Sequence, residues 1–144
     1  MNQQILIANG PNLGRLGARE VDVYGELDFP ALVRACSAWA AELGFDASVR
    51  QTDDEAELVS WLHAAADQGM PVILNPAAFT HYSYALRDAA AEVSLLIEVH
   101  ITNPASRERF RRRSVVAEVA RGTIAGFGFD SYRLALEALA RLRR

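Results

Sequence analysis

Gln3–Ala8 (QQILIA) runs directly into Asn9–Gly25 (NGPNLGRLGAREVDVYG), and the reading of this junction decides the fold. The first segment is a short apolar run and reads as a strand buried inside a sheet. The second, which stays turn-rich to about Leu27, packs four glycines, two asparagines, two arginines and a tyrosine into a connection with no regular period. In compact domains, structureless loops beyond about 12–15 residues are usually functional or disordered. A buried strand that opens into such a loop is the pattern of an α/β sheet with a site at its strand ends.

The rest of the chain repeats the alternation. Asp28 caps a helix that has Pro30 in its first turn, runs through Leu43 and stops at Gly44. Phe45–Arg50 alternates as a strand, and Thr52 precedes a helix over Asp54–Gln68 that Gly69 and Pro71 end. Val72–Leu74 is a strand closing on Asn75-Pro76, a helix follows from about Ser83 to Glu92, and Ser94–Val99 is a strand. A polar, Arg-rich helical segment covers about Ser106–Arg113, Gly122–Phe127 is the last strand, and Asp130–Arg143 is a closing helix. There are no repeats and no Pro-rich linkers. The expected architecture is a single α/β domain over residues 1–144, with a flavodoxin-like, doubly wound, five-stranded parallel sheet. Ligands bind outside the carboxyl ends of such strands. Asn9 and Asn12 follow the first strand, Asn75 and His81 the third, and Glu98, His100 and Thr102 the fourth.

Composition narrows the chemistry. The 144 residues carry a net charge of −3, which gives no basic footprint for nucleic acid. No apolar run approaches the ~20 residues that cross a bilayer, and the start MNQQILIANG lacks a charged segment leading into a long apolar core. One cysteine, Cys36, forms no internal disulfide and fits a reducing compartment, so a cytoplasmic protein is expected. All 15 basic residues are arginine. A lysine Schiff base and a GK[ST] phosphate loop are both excluded. The three histidines lie apart and form no ligand motif, so no metal is expected, and no GxGxxG follows the first strand. His63, within a helix pattern, reads as a structural or surface residue.

Three stretches carry chemistry. In Asn9–Gly25, Arg19, with Arg15 nearby in sequence, is able to favour the anion of the Tyr24 phenol. A phenol titrates near 10, so a base at neutrality needs a shift of roughly 3 units, or about 4 kcal/mol. One guanidinium about 4 Å away supplies about that at an effective dielectric near 20. Taken one at a time, Arg15, Arg19 and Tyr24 fit a surface loop equally well. In Asn75–Asp88 (NPAAFTHYSYALRD), Asn75 and His81 offer donors and acceptors near a helix start. For an isolated Asn-Pro the favoured reading is a turn cap; Thr80 or Ser83 caps the helix, and Asp88 is a solvated charge or an arginine's partner. In Ile97–Asn103 (IEVHITN), the i, i+2 spacing puts Glu98 and His100 on one side of a strand, where the carboxylate orients the imidazole and raises its pKa as a general acid needs. Burying both without purpose is costly. The five arginines of Arg107–Ser114 (RERFRRRS) suit a solvated face, a subunit contact or an anion clamp.

Together, in this order and spacing, NGPNLGRLGARE…YG, NP…FTHYSYALRDA, IEVHITN…RERFRRRS and the tail RGTIAGFGFDSYRLAL resemble the type II 3-dehydroquinate dehydratases almost end to end. The resemblance implies a cofactor-free enzyme, assembled as a dodecamer of trimers. Its reaction would be anti elimination of water from 3-dehydroquinate through an enolate, giving 3-dehydroshikimate. It implies Tyr24 as the base, Arg19 as the residue keeping it anionic, and Asn12 as holder of the water on the enolate oxygen. His100, oriented by Glu98, becomes the acid. Asn75, His81 and Arg111 become ligands of substrate hydroxyls, the backbone amides of Ile101 and Thr102 ligands of its carboxylate, and Asp88 a contribution to a neighbouring subunit's site. Gly14, Val21, Ala77 and Phe79 depart from residues common in the family, which often has asparagine, proline, glycine and tyrosine there. The missing lysines also argue against the unrelated type I enzymes, which use a lysine Schiff base. A flavodoxin-like module binding FMN or phosphate in the first loop would account for the glycines and leave Tyr24, Glu98 and His100 without work. A signalling receiver domain would need an acidic cluster after the first strand and a lysine near the last, and both are absent.

Overall fold

The computed structural model describes residues 2–18, 22 and 27–143. Five parallel strands, β1 (Gln3–Asn9), β2 (Phe45–Gln51), β3 (Val72–Asn75), β4 (Leu96–His100) and β5 (Gly122–Ala125), lie in the order β2-β1-β3-β4-β5. Among the described residues, four α-helices connect them: α1 (Phe29–Glu42), α2 (Glu55–Asp67), α3 (Tyr84–Ala91) and α4 (Asp130–Leu142). This is the doubly wound flavodoxin-like order, with the strand sequence reversing beside β1.

The alternation of β1 explains the two layers. Ile5 and Ile7 pack with Leu32 and Cys36 of α1 and with Leu136 and Leu139 of α4. Leu6 and Ala8 pack on the other face with Leu58 and Leu62 of α2 and Leu86 and Ala90 of α3. A strand with helices on both faces has no polar side, so it reads as a continuous apolar run. The caps are those expected. The Asp28 carboxylate accepts from Ala31 N at 3.0 Å, and the Ser83 hydroxyl accepts from Leu86 N at 3.0 Å.

Two regions differ from the sequence expectation. The Arg-rich segment is not one helix but two 3₁₀ turns, Pro104–Ser106 and Arg109–Arg112. An α-helix there would stack Arg107 on Arg111 and Arg109 on Arg113 at i, i+4, where like charges repel. A further 3₁₀ turn, Ala77–His81, fills what read as loop before α3. The last strand ends at Ala125 rather than Phe127, because Gly126 and Gly128 turn the chain with φ of 98° and 63°.

Ala77 enters that turn at φ 51°, a left-handed conformation that disfavours a Cβ. Ala77→Gly is therefore expected to stabilise the fold by about 0.5–1 kcal/mol, after the flexibility of glycine in the unfolded chain is counted. Urea or thermal unfolding reads this directly. Unchanged or lower stability would show that the methyl group's packing outweighs the strain.

Candidate active site

The carboxyl ends of β1, β3 and β4 open onto one cleft of about 560 Å³, counted to its open mouth. A close backbone approach makes this possible. Gly10 N donates to Asn75 O at 2.8 Å, and a Cβ on Gly10 would lie 2.6 Å from the Pro76 carbonyl. Only glycine allows the loop after β1 to lie against the turn after β3. Asn12 follows at φ 69°, its backbone N–H donating to the Asp53 carboxylate at 2.8 Å. It lines the cleft together with Asn75, His81 and His100.

The deepest charge is Glu98, which is 0% exposed. Thr80 Oγ1 donates to its Oε2 at 2.7 Å, Ser114 Oγ approaches both carboxylate oxygens at 2.9 Å, and His100 Nε2 lies 2.5 Å from Oε2. Burial alone raises a carboxyl pKa. Here the histidine and the two hydroxyls more than offset that, and the net displacement is downward from 4.5. A buried carboxylate held ionised is a fixed negative charge against the imidazole. With Nε2 engaged, Nδ1 is the nitrogen of His100 left to exchange a proton with a ligand.

His81 is set differently. Its Nδ1 lies 2.7 Å from the Arg113 carbonyl, and its ring packs edge-on against Phe110 with centroids 5.6 Å apart. A carbonyl only accepts, so Nδ1 carries the proton. Desolvation lowers the ring's pKa below 6.5, only partly opposed by that hydrogen bond, with the charges of His100 and Arg111 pressing the same way. His81 is thus a neutral imidazole near pH 7, with a lone pair on Nε2.

Arg111 and Arg107 line the mouth. Arg111 donates through Nε and Nη2 to Glu108 at 3.0 and 3.3 Å, and this ion pair pulls the exposed Glu108 carboxyl down to about 2. The side chain of Arg111 is thereby aimed before any ligand arrives. Two arginines at the rim and a polar interior suit a small hydroxylated anion.

The family model described as "Dehydroquinase class II" matches residues 3–140. The chain belongs to the class II dehydroquinases. It is 54% identical over 142 residues to the 3-dehydroquinate dehydratase of Salinispora arenicola, covering 98% of this chain and 99% of that protein. It is 56% identical over 137 residues to the 3-dehydroquinate dehydratase of Mycobacterium avium, covering 94% and 96%. The crystal structure of a type II dehydroquinase from Propionibacterium acnes superposes with a TM-score of 0.95 at 49% identity, covering 98% of each chain.

Of the residues that the class II dehydroquinase pattern pointed to, Asn12, Asn75, His81, His100, Ile101, Thr102 and Arg111 line the one cleft, and Glu98 lies directly behind His100. Arg19 and Tyr24 lie outside the described residues. Asp88 does not face this cleft; it is exposed on α3, beside Arg87 at 3.1 Å. Arg15 is exposed on the turn Leu13–Arg15, and His63 is a surface residue 3.6 Å from Glu92. Asn75 Oδ1 caps Ala77 N at 3.1 Å, as a turn cap would, and the residue lines the cleft. The sequence reading passed over Ser114 and Glu108 and took Thr80 only for a helix cap. Hydroxyls that serve a buried carboxylate 16 and 18 residues away carry no local signal. Among the described residues, no helix is long and apolar enough to cross a membrane.

Proposed function

We propose that this chain is a 3-dehydroquinate dehydratase, a hydro-lyase whose single domain over residues 1–144 takes water from 3-dehydroquinate by anti elimination to give 3-dehydroshikimate. The observation that carries this reading is the buried Glu98–His100 pair at the cleft, with arginines at its mouth. Elimination beta to a carbonyl needs a base, a stabiliser for the enolate and an acid for the leaving group.

Tyr24, held as phenolate by Arg19, takes the proton from the carbon next to the ketone. The C–H electron pair becomes the enolate, whose oxygen is met by a water held on Asn12. The enolate then collapses, forming the C=C bond and expelling the beta hydroxyl, which leaves as water with a proton from His100. Glu98 orients His100 and stabilises its cation. Asn75, His81 and Arg111 hold substrate hydroxyls, and the amides of Ile101 and Thr102 hold the carboxylate. The reading is supported by the site's polarity, with an anion clamp at the rim and a fixed carboxylate behind the acid.

The assembly proposed is a dodecamer of trimers in the cytoplasm, with Asp88 of each chain serving a neighbouring site. The exposed Asp88, with Tyr82 and Tyr84 each 60% exposed near it, suits a face that meets another copy. The reaction would serve shikimate-pathway aromatic biosynthesis or quinate breakdown. Purified protein mixed with 3-dehydroquinate, with no added cofactor, is expected to give a rising ultraviolet absorbance from the conjugated enone. A flat trace at saturating substrate, with folded protein, would overturn the proposal.

A further inference from the structure

Tyr132, on α4, is the largest of the fully buried side chains described, and the mechanism above gives it no task. Its hydroxyl sits between two carboxamides from opposite parts of the chain. It donates to Asn9 Oδ1 at 2.6 Å and accepts from Asn75 Nδ2 at 2.8 Å.

The direction of these bonds is dictated from outside. The Arg50 carbonyl can only accept, so Asn9 turns its Nδ2 toward it, at 3.1 Å, and leaves Oδ1 for Tyr132. Tyr132 has one proton, and Asn9 takes it. Toward Asn75 the phenol oxygen can then only accept, so Asn75 presents Nδ2. At the far end the Ala77 N–H donates to Asn75 Oδ1, which fixes the same orientation a second time. Every link points one way. A carboxamide nitrogen carries two hydrogens; Tyr132 takes one, and among the described residues the other has no partner. Asn75 lines the cleft, so this second hydrogen is the one a ligand there can meet, while one lone pair of its oxygen is already held by Ala77.

We infer that Tyr132 is a positioning residue that locks the Asn75 carboxamide with an N–H toward the cleft, and that this donor, paired with the His81 Nε2 acceptor, makes the site select a hydroxyl group. A hydroxyl accepts from Asn75 and donates to His81 at once. A carbonyl has no proton for His81, and an ammonium has no lone pair for Asn75. Buried polar groups set in this way reject a ligand that lacks the matching group. The inference rests on the reading of Asn75 and His81 as ligands of substrate hydroxyls.

The test is a double-mutant cycle read by steady-state kinetics on 3-dehydroquinate. Tyr132→Phe removes the oxygen that holds Nδ2 and is expected to raise KM about tenfold while kcat stays within about threefold. Asn75→Ala is expected to raise KM at least as much. In the double variant Tyr132→Phe should add nothing, because no carboxamide is left to orient. Wild-type KM in Tyr132→Phe alongside an impaired Asn75→Ala would overturn the inference. So would a Tyr132→Phe effect that persists at full size in the Asn75→Ala background, since that is what a purely structural role gives. If Asn75→Ala itself keeps the wild-type KM, the ligand reading of Asn75 is what fails. Asn9→Ala keeps the tyrosine ring packed and removes the acceptor that fixes its proton, so the phenol no longer has to accept from Asn75 and the carboxamide can turn over at the expense of its Ala77 bond. It is expected to reproduce the KM rise, and it decides the matter should Tyr132→Phe not fold.

Discussion

Tyr24→Phe is expected to lower kcat by about 100- to 10,000-fold, the range a positioned general base contributes, and to leave KM nearly unchanged. The substitution removes one oxygen and keeps the ring, so what is lost is the group that takes the proton. A carbon acid next to a ketone calls for a strong base, and a phenolate at neutral pH is one only if its pKa of about 10 is brought down by roughly 3 units. At an effective dielectric near 20, one guanidinium at about 4 Å is worth about 4 kcal/mol, enough for that shift. Arg19 is the residue proposed to supply it. Its replacement by leucine should therefore move the activity profile toward alkaline pH, and at high pH recover part of the rate that Tyr24→Phe loses outright. Near-wild-type kcat in Tyr24→Phe would place the base elsewhere.

His100→Ala has the second largest expected effect, and it acts on two observables. Hydroxide is a poor leaving group, and loss of its proton donor is expected to cost kcat about 100- to 10,000-fold. The same change takes from Glu98 its closest donor while leaving the carboxylate buried behind Thr80 and Ser114. A buried charge that loses a partner destabilises the fold by about 1–3 kcal/mol, visible as a lower Tm. The pH dependence follows with a definite sign. In the intact protein the pKa of Glu98 is lowered from 4.5, so its contribution to stability is fully present above that value and is lost as pH falls through the lower folded value. Without His100 the folded value rises toward the unfolded one, so the loss of stability that Glu98 contributes on acidification should shrink. A full rate in His100→Ala would assign the acid to another group. An acid limb of unchanged size would mean that the hydroxyls alone hold Glu98 ionised.

What could be read from the residues alone divides along a physical line. β1, β3 and β4 were legible because strands covered on both faces must be apolar throughout, and Asp28 and Ser83 were legible because a cap is a local bond. Glu98 and His100 stood out for the opposite reason, as charge-bearing groups where burial is costly. The 3₁₀ turns at 77–81, 104–106 and 109–112 were missed or taken for one helix, since no side-chain period distinguishes so short an element. Thr80, Ser114 and Tyr132 were invisible as site residues because each acts through a partner far along the chain. The bond from Tyr132 to Asn9 spans 123 residues. Nothing in DSYRLAL distinguishes that tyrosine from an ordinary core aromatic.

That span has a consequence for how the protein comes into being. β1 is synthesised well before α4, yet the bonds that join Asn9, Tyr132 and Asn75 need both. Until α4 is made, Asn75 keeps its bond from Ala77 but lacks the Tyr132 oxygen on its Nδ2. Full affinity at Asn75 should therefore appear only once α4 has packed on the sheet.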